Sequence, residues 1–307
     1  MSTGALFVCF VGACAVSSAP PSLPATLEAA QPLPRSAVPV GLASGQFHTI
    51  PVRVNGDALT VGILDTGIGL ALISQELCER IGCELEGEFT GRRMSGQAIT
   101  IPLTTLASLD VGGVVQNDVP AAVIDIDGFF PEPQIEAFVG LPFFENVPFT
   151  IEEGQLILES PETLAEREAH GSSIPVRLQR HGPALDIFIP ITVGGAPAEA
   201  LMDTGSRTII LDMRYAETLG VDLSGPEVRT HEGHDETGQS YMRYYTSLDD
   251  VAFAGTPSQR RQGLEVMFQE IIYDALVGKE FLASFTLTYD LARQRVIVAE
   301  PAPALSR

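Results

Sequence analysis

The chain has 307 residues, 45 % of them hydrophobic, and a formal net charge of −21 from 39 acidic and 18 basic side chains. That is enough apolar material for a core in one large domain or two ordinary ones. It is too little positive charge for a nucleic-acid footprint or for adhesion to an anionic membrane surface, so the acidity reads as a well-solvated exterior.

The N-terminus reads as a processing segment. The apolar run "ALFVCFVGACAV" (Ala5–Val16) is too short to span a membrane and suits a signal-peptide core, here bounded at 1–19. Val11-Gly12-Ala13-Cys14 resembles a bacterial lipobox, which would place a lipid on Cys14, although no Lys or Arg precedes Arg35. Simple cleavage near Ala19 is the alternative. Either route makes the protein exported, as a periplasmic protein or as a lipoprotein tethered through Cys14. Residues 20–46, rich in Pro, Ala and Ser, read as a tail outside the fold up to about Val38.

The next stretch is mostly β. "FHTIPVRVNG" alternates and ends in Asn-Gly, a hairpin signal, and "LTVGILD" returns. "ALIS" is a short strand, and "SQELCERIG" a helix capped by Ser74 and stopped by Gly82. Cys78 and Cys83 flank its end. A bridge between them requires the chain to turn at Gly82, and buried unpaired cysteines are the commoner outcome. Further strands follow in "AITIPLTTLASLDVGG", then the motif "AFVGLPFF" and a hairpin in "VPFTIEEGQLILE". The polar segment 160–175 reads as a linker or connecting helix, after which the same order recurs to about Glu300, leaving 301–307 as a tail.

The recurrence is an internal repeat. Asp65 in "ILDTG" and Asp203 in "LMDTG" are 138 residues apart (203 − 65), and so are Gly140 and Gly278 in "AFVGLPFF" and "ALVGKEFL" (278 − 140). "IPVRVNG" parallels "IPITVGG", and "SGQ" at Ser95–Gln97 parallels "TGQ" at Thr237–Gln239. One Asp-Thr-Gly arises easily by chance, whereas two in matched context at a common offset do not.

On these motifs the chain resembles the aspartic proteases of the retropepsin and pepsin group, over roughly Phe47 to Glu300. The resemblance implies an all-β fold with short helices, built from two pseudo-twofold lobes (47–159 and 176–300) with the active site between them. It implies an aspartic endopeptidase acting on a peptide or protein substrate, as a monomer that is a pseudo-dimer within one chain. Asp65 and Asp203 would be catalytic, activating water while sharing one proton. Thr66 and Thr204 would interlock across the axis, and Gly67 and Gly205 would turn the backbone beside the carboxylates. Gly140 and Gly278 would pack against the Asp-Thr-Gly loops. Gly96, Gln97, Gly238, Gln239 and Tyr241 would belong to the flaps that hold substrate. Ser206 supplies the usual hydroxyl to its carboxylate, whereas the equivalent Ile68 cannot, which would raise the lower apparent pKa of the pair.

No cofactor and no metal are expected, since no Cys/His spacing suggests zinc. His231 and His234 read as a solvated loop, and "DIDG" (Asp125–Gly128) as a turn. Taken singly, each aspartate has a plainer reading as a turn-former. The competing functional class is a non-catalytic peptide-binding or scaffold protein on the same fold. Two retained, mutually repelling acids favour the enzyme.

Overall fold

The strand Phe47–Val54 buries Ile50, Val52 and Val54 on one side and turns at Asn55-Gly56, both at positive φ (50° and 71°), to pair antiparallel with Leu59–Leu64. This is the alternation and turn chemistry that the sequence carries. The computed structural model describes residues 35–56, 59–126, 135–152, 154–234, 240–256 and 259–301. The signal segment with Cys14, the flap residues Gly238 and Gln239, and residues 302–307 lie outside them.

Each lobe is built on one strand motif. In the first, Leu59–Leu64 runs parallel to Ile135–Val139, which pairs antiparallel with Ala71–Ser74, itself parallel to Val114–Ile124. In the second, Ala196–Met202, Ala275–Val277, Ile209–Asp212 and Leu264–Gln269 repeat these directions. The loop carrying each Asp-Thr-Gly therefore hangs between two strands tied to the same central strand. Both main sheets combine such long-range pairings with hairpins, and the molecule is mostly β with four short α-helices among the described residues.

A third, six-stranded sheet joins the lobes. Phe149–Glu152 of the first half pairs with Thr286–Asp290 of the second, and each carries its own hairpin partner, Gln155–Leu158 and Arg295–Ala299. At its centre Thr150 and Thr288, again 138 apart, share a 2.7 Å hydroxyl contact beside the stacked rings of Phe149 and Tyr289. One apolar core runs through both lobes and this sheet, and two smaller apolar clusters flank the Asp-Thr-Gly loops.

The structure changes or completes three expectations. The tail does not extend to residue 46. Ser36–Pro39 forms an edge strand on Gln155–Leu158, with Val38 buried, and Gly41–Ala43 pairs with the strand after it. A four-residue strand bearing a proline is set by its partner rather than by its own pattern, so nothing local announces it. The segment 160–175 carries the connecting helix and, beyond it, a strand. Ser160 caps the helix Pro161–His170, and Ser172–Pro175 closes the other edge of the shared sheet. Finally, Cys78 and Cys83 are joined as a disulfide with Cα atoms 5.1 Å apart. Ser74 caps the helix Gln75–Ile81 and Gly82 leaves it in the left-handed region (φ 66°), so the chain reverses and returns Cys83 to Cys78.

Candidate active site

The two Asp-Thr-Gly loops meet face to face. The Thr66 hydroxyl donates to the carbonyl of Met202 (2.8 Å) and accepts from the amide of Thr204 (3.0 Å). Reciprocally, the Thr204 hydroxyl donates to Leu64 (3.3 Å) and accepts from the amide of Thr66 (3.1 Å). All four groups are buried, so the interlock satisfies donors that would otherwise be costly to seal at a seam. It fixes the loops so that each aspartate lies against the opposite glycine. A methyl at Gly67 would stand under 3.0 Å from the Asp203 carboxyl, and one at Gly205 equally close to Asp65.

The carboxyls of Asp65 and Asp203 are buried and brought together at the seam. Burial first, then the Asp203 charge, holds the Asp65 carboxyl well above the usual range, against the opposing amides of Gly67 and Gly205. Two acids this close in a water-poor seam oppose each other's ionisation, so loss of the pair's second proton is disfavoured. Such a pair combines an acceptor for a proton of water with a donor for a carbonyl oxygen.

Gly140 and Gly278 back the loops. A methyl at either would fall under 3.0 Å from main-chain atoms, of Leu70 for Gly140 and of Arg207 and Thr208 for Gly278. The amides of Asp65 and Asp203 donate to Val139 and Val277, the residues just before these glycines (3.2 and 3.0 Å).

The expected role of Ser206 changes. Its hydroxyl donates to the carbonyl of Thr208 (3.4 Å), and its amide rather than its hydroxyl reaches Asp203 (3.0 Å), alongside the Gly205 amide (2.8 Å). Asp65 accepts from the Gly67 amide at 2.8 Å. The asymmetry of the two carboxylates is therefore carried by backbone direction, which residue identity at 68 and 206 does not report. Ile68 is instead a buried member of the apolar cluster on its side of the dyad.

The residues expected in the first flap lie at the tip of the hairpin of Glu88–Arg92 and Ala98–Val111, closed by bonds between Arg93 and both Gly96 and Gln97 (each 2.8 Å). Gly96 stands at φ 87°, a conformation that disfavours a side chain. The tip crosses to the other lobe. Met94 is 4 % exposed and packs with Phe188, Leu201, Ile210, Met267 and Tyr273, while its carbonyl accepts from the amide of Ile272 (3.0 Å). Leu201 lies two residues before Asp203, so this flap tip covers the apolar wall next to the dyad.

The second hairpin, Arg229–His234 with Ser240–Leu248, has its tip outside the described residues. Tyr241 lies on it, its ring over Gly233 and its hydroxyl accepting from Arg243 (2.6 Å). His231 stands on a strand of this hairpin, not in a loop. Among the described residues no cluster of His, Cys, Asp or Glu is arranged for a metal ion.

Sequence reasoning missed two residues. Nothing in "RRMSG" reveals that Met94 is inserted into the opposite lobe. Asp186 is wholly buried with both carboxyl oxygens unpaired among the described residues, and burial pushes it up to about 8 despite the nearby Arg177 charge. Its signal is a lone acid inside the apolar run "ALDIFIPITV" of a strand.

A family model described as aspartyl protease matches residues 50–143 and again 189–281, one copy in each lobe. No curated protein matches the chain. Among solved structures, the crystal structure of basic 7S globulin from soybean is similar at 10 % sequence identity, covering 86 % of this chain and 94 % of that one with a TM-score of 0.49. With both halves matched over more than half its length, and two Asp-Thr-Gly loops facing one another, the chain belongs to the aspartyl protease family.

Proposed function

We propose that the protein is an aspartic endopeptidase in which Asp65 and Asp203 together activate the water that attacks a peptide bond. The observation that carries this reading is the burial of the two carboxyls together at the interlocked seam. Seating two acids there raises the cost of ionising them, and the chain retains both. The ionised member takes a proton from water, the protonated member polarises the scissile carbonyl, and the roles reverse as the leaving amine is protonated.

Thr66 and Thr204 act as positioning residues through the interlock. The Gly67 and Gly205 amides each donate to the carboxylate of their own loop. The first flap would lift for an extended peptide to enter and close over it to exclude water. Gly96 and Gln97 line that closure, with Gly238, Gln239 and Tyr241 as the second flap's counterparts. We place the enzyme outside the cytoplasm as a monomer, with lipidation at Cys14 as one route to a membrane tether.

The test is cleavage of an unfolded protein substrate across acidic to neutral pH, with and without a statine-type mimic of the tetrahedral intermediate. Cleavage blocked by the mimic and by Asp203→Asn supports the reading. Tight peptide binding without cleavage would instead assign the chain to the peptide-binding class.

A further inference from the structure

Each lobe lays three apolar side chains next to one another beside its aspartate. In the first, Ile63 and Leu72 both pair with Phe138. In the second, Leu201 and Ile210 both pair with Leu276, each 138 residues after its counterpart. Ile63 stands two residues before Asp65 and Leu201 two before Asp203. The two triads are covered differently. Around the first, the buried cluster is completed by residues held in strands, among them Phe47, Phe89 and Ile101 of the same lobe and Ala184 of the other. Around the second, it is completed by Phe188, Met267, Ile271 and Tyr273 and by one residue from the first lobe, Met94.

Met94 is a removable cover. It sits on a hairpin tip, between the strands Glu88–Arg92 and Ala98–Val111, and not in the body of either lobe. Its side chain is buried in the second lobe's apolar wall, and its carbonyl accepts from the amide of Ile272 (3.0 Å). A methyl at the neighbouring Gly96 would meet Ile272 at 2.9 Å, so the tip lies against that residue. An apolar side chain in the wall and a main-chain carbonyl on an amide are also what one residue of an extended peptide would offer. A hairpin tip can lift away without unfolding the sheets below it, and the wall is then open beside Asp203.

We propose that this wall is a substrate subsite, that Met94 is its resident stand-in, and that peptides with methionine or leucine beside the scissile bond displace it. The proposal rests on the peptidase reading for the ligand being a cleavable peptide; the displacement itself does not. The wall selects for such side chains. The rings of Phe188 and Tyr273, 5.4 Å apart, stand with Leu201, Ile210 and Leu276, a setting that suits a flexible thioether or a branched aliphatic chain. A charged side chain would shed its water there and meet no counter-ion among the described members of the wall. Because the occupant must first be expelled, Met94 weakens every ligand that needs the wall by the fraction of molecules it keeps closed.

The test uses the full chain and two extended peptides of one flanking sequence, with the bond to be cut reduced to CH2–NH. One carries Met–Met at that bond and the other Ala–Ala. Calorimetry should show the Met–Met peptide binding at least about tenfold more tightly. Its binding should move the Met94 methyl resonance to the position of an exposed methionine. Met94→Ala removes the competitor and should tighten the Met–Met peptide by roughly tenfold. Leu276→Phe, which copies Phe138 and fills the wall, should cut the Met–Met advantage to under about twofold. Equal binding of the two peptides, no binding of Met–Met, a Met94 methyl unmoved in the bound state, a Met94→Ala chain that binds no tighter, or an undiminished advantage in folded Leu276→Phe would each overturn the subsite. Cleavage of the unreduced Met–Met peptide is read separately. Displacement of Met94 without cleavage supports the subsite and removes the peptidase, whereas cleavage with Met94 unmoved does the reverse.

Discussion

The two lobes share a topology, an Asp-Thr-Gly loop and a backing glycine, and they differ at the positions facing the seam. What is identical is what the twofold geometry demands. Each threonine needs the other to satisfy its amide, and each backing glycine stands where main-chain atoms leave no room for a side chain. What differs is free of that demand. Ile68 faces Ser206 across the axis, Phe47 stands where Asp186 does, and His48 and Lys279 stand where Ile187 and Leu141 do. A fused pair of lobes can specialise its halves, which a homodimer of one gene product cannot do.

The largest expected effect ignores these differences. If the carboxyls work as one pair, Asp65→Asn and Asp203→Asn should each lower kcat/KM for peptide hydrolysis by at least about a thousandfold, in keeping with loss of acid–base chemistry. A variant of either lobe that kept a tenth of the activity would break the symmetric part of the comparison. Asp65→Asn should also raise the Tm at neutral pH. The folded Asp65 carboxyl keeps its proton at pH values where the unfolded chain releases it, so ionisation works against the fold as pH rises.

Asp186 sharpens the asymmetric part. Its folded pKa is about 8 against an ordinary 3.8, with burial the main cause. Between those values the native state holds a proton that the unfolded state has lost, so stability falls as pH rises through that window and is fully present only below it. Asp186→Asn removes the ionisation. Denaturant unfolding from pH 4 to pH 8 should then show the variant gaining on the parent chain by an amount on the order of several kcal/mol. Phe47→Leu, at the equivalent place in the first lobe, should show no such pH dependence relative to the parent.

Next in size are the backing glycines. Gly140→Ala and Gly278→Ala place a methyl against main-chain atoms that cannot rotate away, and each should cost about 1–3 kcal/mol in equilibrium unfolding. Gly278 meets three backbone atoms across Arg207 and Thr208, all under 3.0 Å, and should be the more costly of the two. Equal or negligible losses would mean that the loops give way more easily than the close approach implies.

Much of this arrangement was legible in the sequence because it repeats. An offset of 138 residues fixes which glycine serves which aspartate without any structural input. Hairpin and helix ends were legible for local reasons, in Asn55-Gly56 and in Ser74 and Gly82. What escaped depends on partners far along the chain. Ser36–Pro39 is a strand only because Gln155–Leu158 offers an edge. The amide of Ser206, not its hydroxyl, supports Asp203 because of the local path of the backbone. Asp186 could be noticed as an acid in an apolar run, but its lack of a partner is a property of the folded neighbourhood.

The smallest effect separates the flaps. Met94 fills an apolar wall of the second lobe, yet it sits on a hairpin tip whose described hold on that lobe includes one backbone bond, from Ile272 to the Met94 carbonyl (3.0 Å). A contact of that kind opens locally, without unfolding the lobes, so truncating it should register as faster opening and leave the global transition nearly in place. Met94→Ala should speed amide exchange at Ile272 by roughly tenfold, an opening cost reduced by about 1.4 kcal/mol, and shift Tm by under about 2 °C. Exchange along Ser240–Leu248, the returning strand of the other hairpin, should stay unchanged. If Tm instead falls steeply, Met94 belongs to the cooperative core and the flap is part of the second lobe's fold. If Ile272 exchanges as before, the tip is held by its backbone alone.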